Sequence, residues 1–360
     1  MGPVPSSIHG RGAAENPAGR FERLEVELEP EAIEPGEAPR PATIYLRDSS
    51  RSVIASNDSP DVGFSHSINP YRGCSHGCIY CYARPTHEHL GFSAGLDFET
   101  RILVKMDAPR LLRKELSSRR WRPVVLGMCG VTDAYQPVER ELQLTRQCLQ
   151  VLAEFRNPVS IATKNHLVTR DIDILSQMAR QDLVAVSISI TTLDQDLTRI
   201  MEPRTAVPRL RLDAIKALSS AGVPVSVLVA PVIPGLTDHE MPAILEAAAA
   251  AGATSAGYEI LRLPHGVKDL FQSWLSRHMP DRMEKVLSRI RQIRGGQLND
   301  PRFGTRMRGE GVFADHVRSV FDLCRRRFGL DGGHRQLSTA HFRRPDDQPG
   351  LFGPAEAGSI

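Results

Sequence analysis

From residue 64 to residue 261 short apolar runs alternate with stretches of helical periodicity, and no other feature restricts the fold as much. Residues 64–68, 124–128, 159–162, 183–190, 223–229 and 255–261 read as short apolar strands. Residues 102–105 read as a strand or an extended connection. Between the runs, residues 109–119, 139–155, 171–180, 209–221 and 241–251 read as helices. Leu111, Leu112 and Leu116 share one face of the first, and Gly222 and Gly252 close the last two. Strands separated by helices imply a parallel sheet with helices outside, here about six β/α units. Residues 268–277, 283–294 and 312–328 are helical stretches without convincing strands between them. They predict a helical C-terminal extension that closes an open side.

Residues 1–58 are rich in Gly, Pro, Ala and Glu and read as a disordered or loosely docked leader, with Ile44-Tyr45-Leu46 as its docking point. The core then spans 59–262, the extension 263–344, and residues 345–360 read as a flexible tail. No apolar run approaches membrane-spanning length, and the polar N-terminus carries no secretory h-region. Six cysteines, half of them in one loop, suit a reducing cytoplasm. A formal net charge of +3 neither requires nor forbids a nucleic-acid partner.

That loop, Cys74-Ser75-His76-Gly77-Cys78-Ile79-Tyr80-Cys81, follows the first expected strand. Its C-x3-C-x2-C spacing lets three soft thiolates converge on one metal centre, either zinc or an iron–sulfur cluster. A structural zinc site wants a fourth protein ligand, for which His76 and His87 are at hand, but no second Cys pair follows. The alternative is a [4Fe-4S] cluster held by Cys74, Cys78 and Cys81, with its fourth iron open to a non-protein ligand.

With Tyr80 just before the third cysteine, the loop resembles the C-x3-C-x-aromatic-C signature of the radical S-adenosylmethionine (SAM) superfamily. The resemblance implies a partial (β/α)6 barrel whose cluster loop follows its first strand. It implies two cofactors, the cluster and SAM, and a low-potential electron donor. One electron from the cluster then cleaves SAM to a 5′-deoxyadenosyl radical. The stretch Thr132-Asp133-Ala134-Tyr135-Gln136-Pro137-Val138-Glu139 resembles the T-D-x-Y-Q-P-x-E of the spore photoproduct lyase branch. That branch includes many uncharacterised bacterial relatives described as DNA repair photolyase-like.

By that resemblance Thr132 and Asp133 face the SAM amino group, although Asp133 also suits an Asx turn. Lys164 pairs with the SAM carboxylate or is a solvated surface lysine. Ser189, with Ser187 as runner-up, lies near SAM. Ile233 packs on adenine and Gly235 lets the backbone approach, although Pro231 and Asp238 depart from the family's Gly and Glu. Asp238 then reads as the cap of the next helix. Glu202 and Arg204 bind the ribose or each other, and the backbone at Tyr258 and Glu259 is a weaker adenine partner. Tyr82 relays a radical or packs over the cluster. Cys129 matches the lyase's hydrogen donor, but its offset from Thr132-Asp133 differs by one residue, which reverses the face unless a bulge intervenes. Cys148 and Cys324 sit among apolar residues at helical spacing and read as core.

Arg302, Arg306, Arg308, Arg325-Arg326-Arg327 and Arg343-Arg344 make the extension basic, as a phosphate contact or as a solvated face. Three functions follow from these readings. The first is a radical SAM enzyme acting on DNA or RNA. The second modifies a small molecule or peptide, and the third is a non-catalytic zinc module.

Overall fold

The computed structural model describes residues 7–21, 41–128, 130–333 and 336–345. Cys129, residues 22–40 of the expected leader and the expected tail from residue 346 lie outside the described residues. The described chain begins its regular structure with β1 (Ile44–Arg47), β2 (Ile54–Ser56), β3 (His66–Ile68), β4 (Tyr71–Arg72), α1 (Leu96–Thr100) and β5 (Arg101–Val104). The alternating core follows as α2 (Ala108–Ser117), β6 (Leu126–Met128), α3 (Glu139–Leu142), α4 (Leu144–Phe155), β7 (Val159–Thr163), α5 (Ile172–Ala179) and β8 (Val184–Ser189). It continues with α6 (Gln195–Met201), α7 (Pro208–Ser220), β9 (Val225–Val232), α8 (Met241–Ala250) and β10 (Ser255–Ile260). The extension supplies α9 (Val267–His278), α10 (Pro280–Ile293) and α11 (Val312–Arg327).

The larger sheet has the order β10-β9-β8-β7-β6-β3-β2. Neighbours from β3 to β10 run parallel, and only the edge pair β2–β3 is antiparallel. The parallel strands are those expected from the alternation. With β10 and β2 as its edges the sheet stays open, as in a partial barrel. Val159, Ile161, Val184, Val186, Ile188, Val225 and Val227 are buried, while the alternate positions Ser160, Ala162, Ala185 and Ser187 are half-buried, so one face of β7 and β8 is more deeply covered than the other. Cys148 and Cys324 are buried core residues, as their spacing suggested.

Three differences from the sequence reading have physical causes. Residues 139–155 form two helices, because Gln143 takes a left-handed conformation (φ 51°). The turn lets the Glu139 carboxylate accept from the amides of Thr145 (3.0 Å) and Arg146 (3.3 Å), capping α4. Helix α6 was not anticipated; the Asp194 side chain caps it by accepting from the amides of Asp196 and Leu197. The leader, expected to bury little, is packed in its described parts: Ile8, Arg11 and Ala13 are buried, β1 pairs with β5, and β2 with β3. Composition undervalues this stretch because it docks largely through backbone amides and through Arg11 and Arg20, with only a few small apolar residues joining the core.

The extension is continuous with the barrel mouth. Helices α9 and α10 share a core with Cys78, Ile79, Tyr80 and Ile233, and Trp274 donates to the Ile200 carbonyl at 2.9 Å. Helix α11 lies on β10, with the rings of Phe321 and Tyr258 4.6 Å apart.

Candidate active site

The cysteine loop leaves β4 through Gly73, whose φ of +78° a side chain would not tolerate; a Cβ there would lie 2.8 Å from His87 Cε1. Cys74 and Cys78 are buried and Cys81 is half-buried, all three as free thiols. The loop is gripped from several sides. Thr132 Oγ1 donates to the Gly73 carbonyl (2.6 Å), and Gln136 Oε1 accepts from the Ser75 amide (3.0 Å). The fully buried Arg84 donates to the Cys78 carbonyl (2.9 and 3.0 Å) and to Glu99 (2.5 Å). The Glu99 carboxylate in turn accepts from the amides of Gly12 (3.1 Å) and Ala13 (2.8 Å). These contacts draw the N-terminal segment across the loop, so close that a Cβ on Gly12 would lie 1.9 Å from the Gly77 carbonyl oxygen.

At the strand ends Asp133 is fully engaged. It accepts from Thr163 Oγ1 (2.7 Å) and the amides of Lys164 (2.9 Å) and Tyr135 (2.8 Å), and faces His76 Nδ1 at 3.4 Å. Burial works against its charge, yet His76 and the donors outweigh it and hold the carboxyl below its usual range. Thr132 and Asp133 therefore orient the cysteine loop and its neighbouring strand in this structure. Lys164 reaches Ser189 Oγ (2.5 Å) and the Ala230 carbonyl (2.8 Å), with Glu202 Oε1 at 3.6 Å. It is not a surface lysine, and burial, with Arg211 adding to it, pushes its ammonium down to about 8. Ser187 instead bonds Ser226 at 2.8 Å.

Tyr80 donates to the Glu202 carboxylate, which also accepts from Thr191 (2.8 Å) and pairs with Arg211. The sequence pointed to Arg204 as the partner of Glu202; Arg204 bonds Thr43 instead (3.2 Å), and α7 brings Arg211 in. Ile233 is fully buried against the extension, and a Cβ at Gly235 would point at Arg289, Lys285 and Val286 of α10. Asp238 accepts from the Gly235 amide (2.9 Å) rather than capping α8. Tyr82 is 45% exposed, with the Arg262 guanidinium 5.3 Å from its ring centre. Cys129 lies outside the described residues.

Much of the basic extension is paired internally. Arg302 binds Asp300 and Glu310, Arg306 binds Asp61, and Arg343 and Arg344 donate to backbone carbonyls. Sequence reasoning missed Gln136, Arg84, Glu99 and Arg211. The Gln lies inside the quoted T-D-x-Y-Q-P stretch, but nothing in the sequence marks the other three as buried.

The donor set suits a cluster better than a single ion. Among the described residues no three His, Cys, Asp or Glu side chains gather as one metal ion requires. A cube with iron at separate corners keeps its thiolates apart, and soft sulfur is its ligand. The two histidines considered for zinc are otherwise engaged: His76 with Asp133 and Asn165, His87 with the Arg101 carbonyl.

A family model described as "Radical SAM superfamily" matches residues 68–248, half of the chain. The chain belongs to the radical SAM superfamily. An uncharacterized protein of Mycobacterium tuberculosis is 39% identical over 232 residues, covering 64% of this chain and 67% of the relative. One of Methanocaldococcus jannaschii is 31% identical over 179 residues, covering 49% of this chain and 64% of the relative. Spore photoproduct lyase complexed with dinucleoside spore photoproduct shares the fold, with a TM-score of 0.56, 16% identity and 80% of each chain covered. Another lyase structure, with bound AdoMet and the same dinucleoside, has a TM-score of 0.55 and 16% identity over 80% of this chain and 79% of that one.

As a radical SAM enzyme the protein uses a [4Fe-4S] cluster and SAM and needs an electron donor. Cys74, Cys78 and Cys81 are the residues that would hold the cluster. Among the described residues no helix is long and apolar enough to cross a membrane.

Proposed function

We propose that this enzyme cleaves SAM reductively and uses the radical to abstract hydrogen from a nucleic-acid substrate. When bound, the reduced cluster and SAM supply the 5′-deoxyadenosyl radical. The chain's own residues supply the rest. Lys164, held at the strand ends by Ser189 and the Ala230 carbonyl, offers its ammonium to the SAM carboxylate. Tyr80 and Glu202 fix the floor beside the cysteine loop, and helices α9 and α10 exclude water behind it. Tyr82, beside Cys81 and exposed, faces the substrate side.

The observation that carries the reading is the gathering of three unpaired thiols in one gripped loop beside the half-buried Lys164 at the mouth of an open parallel sheet. The nucleic-acid part is supported by the shared fold with a lyase captured with a dinucleoside lesion. A second reading, a small-molecule or peptide substrate, is favoured by the inward pairing of the extension's arginines.

The test is anaerobic: reconstitute with iron and sulfide, reduce, add SAM, and measure 5′-deoxyadenosine by mass spectrometry. The parent protein releases it and Cys78→Ala does not. A short single-stranded DNA or RNA raises the yield if the substrate is nucleic acid. A loaded, reducible cluster that never yields 5′-deoxyadenosine with any nucleic acid would remove this reading.

A further inference from the structure

Beside the cysteine loop lies a pocket of about 500 Å3 whose wall includes Asn69, Tyr82, Lys105, Glu259 and Arg262. Asn69 directly follows β3, and Glu259 stands on β10, so the pocket spans the two ends of the parallel run. Its polar groups are unusual in what they lack. Lys105 is 8% exposed, yet among the described residues no hydrogen bond or ion pair reaches its ammonium. Asn69 is 6% exposed, and its Oδ1 is buried without a partner. Arg262 lies over Tyr82 and donates only to the Met307 sulfur at 3.3 Å, with no carboxylate paired to it among the described residues. The Glu259 carboxyl likewise accepts no hydrogen bond there.

Neighbouring charges are satisfied: Arg72 pairs with Asp48 at 2.8 Å and Arg306 with Asp61 at 2.5 Å. Burial, then the nearby Arg72, lowers the proton affinity of Lys105, and Asp48 and Glu115 offset this only in part. Burial likewise lowers that of Arg262, with Arg306 adding to it and the nearby but unbonded Glu259 working against it. Lys105 and Asn69 are buried, Arg262 and Glu259 half-buried, and a purely structural wall would pair a buried charge or amide, because leaving it unpartnered is costly. Two cations and two acceptors left open on one wall match a ligand that brings an anion and hydrogen-bond donors.

We propose that this pocket is the substrate site, and that Lys105 and Arg262 hold an oxyanion of the substrate, phosphate or carboxylate. Glu259 and Asn69 Oδ1 accept hydrogen bonds from the same molecule. The proposal rests on the reading of the chain as an enzyme whose substrate meets the cysteine loop. The volume suits one unit the size of a nucleotide or a dipeptide, not a duplex.

The test reads the lysine itself. The cluster-loaded protein is reductively methylated under anaerobic conditions, and modification of Lys105 is followed by mass spectrometry. The probes are adenosine 5′-monophosphate, a short single-stranded oligonucleotide and a dipeptide. Adenosine and the dipeptide amide serve as uncharged controls. At least one oxyanion probe is expected to slow methylation of Lys105 by about tenfold, a shift read as occupancy. Its uncharged control leaves the rate unchanged, as does any probe at the exposed Lys216. Arg262→Gln abolishes the protection.

Protection by phosphate probes supports both this site and the nucleic-acid reading. Protection by the dipeptide alone keeps the oxyanion site and removes the nucleic-acid reading. The proposal is overturned if no oxyanion protects, if the uncharged controls protect equally, or if Arg262→Gln leaves protection intact. The comparison of charged with uncharged probes needs no variant, so a folding defect in Arg262→Gln does not blunt it.

Discussion

Glu202 ties together one side of the site, with Tyr80, Thr191, Arg211 and Lys164 all turned toward it. Glu202→Gln would leave the Arg211 guanidinium, 1% exposed, without its counter-ion. Breaking a buried pair from one side costs about 3–5 kcal/mol, so the variant should melt well below the parent in a thermal scan. Lys164→Met tests ligand binding instead. Removing a charge-assisted bond to the SAM carboxylate is expected to weaken binding of a non-cleavable SAM analogue about 10- to 100-fold in calorimetry, with iron content unchanged. Unchanged affinity would make Lys164 a brace between Ser189 and Ala230. At this scale the sequence spoke through fixed spacing: Cys74, Cys78, Cys81 and Tyr80 could be named because each sits at a set offset in a short motif, and Lys164 because it follows an expected strand of the core. Arg211 could not, because its partner is set by how α7 packs, and nearness in sequence favoured Arg204.

Among the elements, the N-terminal segment changes most between sequence and structure. Its Gly-Pro-Ala composition hides a strap that closes over the cysteine loop through Gly12, Ala13 and the buried pair Arg84–Glu99. Backbone-mediated docking leaves no hydrophobic pattern, so no periodicity could have announced it. Gly12→Ala places a methyl group where the Gly77 carbonyl already stands, and the strap must lift. The expected result is faster bleaching of the cluster's visible absorbance in air than in the parent, at similar initial iron content. Ala13→Gly removes a buried methyl but keeps the amide on Glu99, and should bleach at nearly the parental rate. Equal bleaching by Gly12→Ala would mean that the strap does not shield the loop. Helix α4 gives a parallel lesson. The apolar period ran unbroken through residues 139–155, and only the capping reach of Glu139 explains the break at Gln143.

For the whole molecule, the parallel sheet was legible because buried strands and their covering helices each impose a period on the sequence. The second layer around the cysteine loop was not, since it is assembled from segments far apart in the chain. His87 belongs to that layer. It is fully buried beneath Gly73, its Nε2 is 2.9 Å from the Arg101 carbonyl, and its rings of contact are Phe92 and Phe98. Burial pushes its pKa down to about 4 from the ordinary 6.5. The unfolded chain therefore takes up the proton first as the pH falls. The stability this residue contributes is complete above about 6.5 and is lost as the pH drops toward 4, by about 3 kcal/mol in all. His87→Gln retains a donor for the Arg101 carbonyl but cannot titrate. Its melting midpoint should lie below the parent's at pH 7, and the gap should narrow steadily as the pH is lowered to 4. A gap that stays constant with pH would show that the acid sensitivity of this fold resides in other groups.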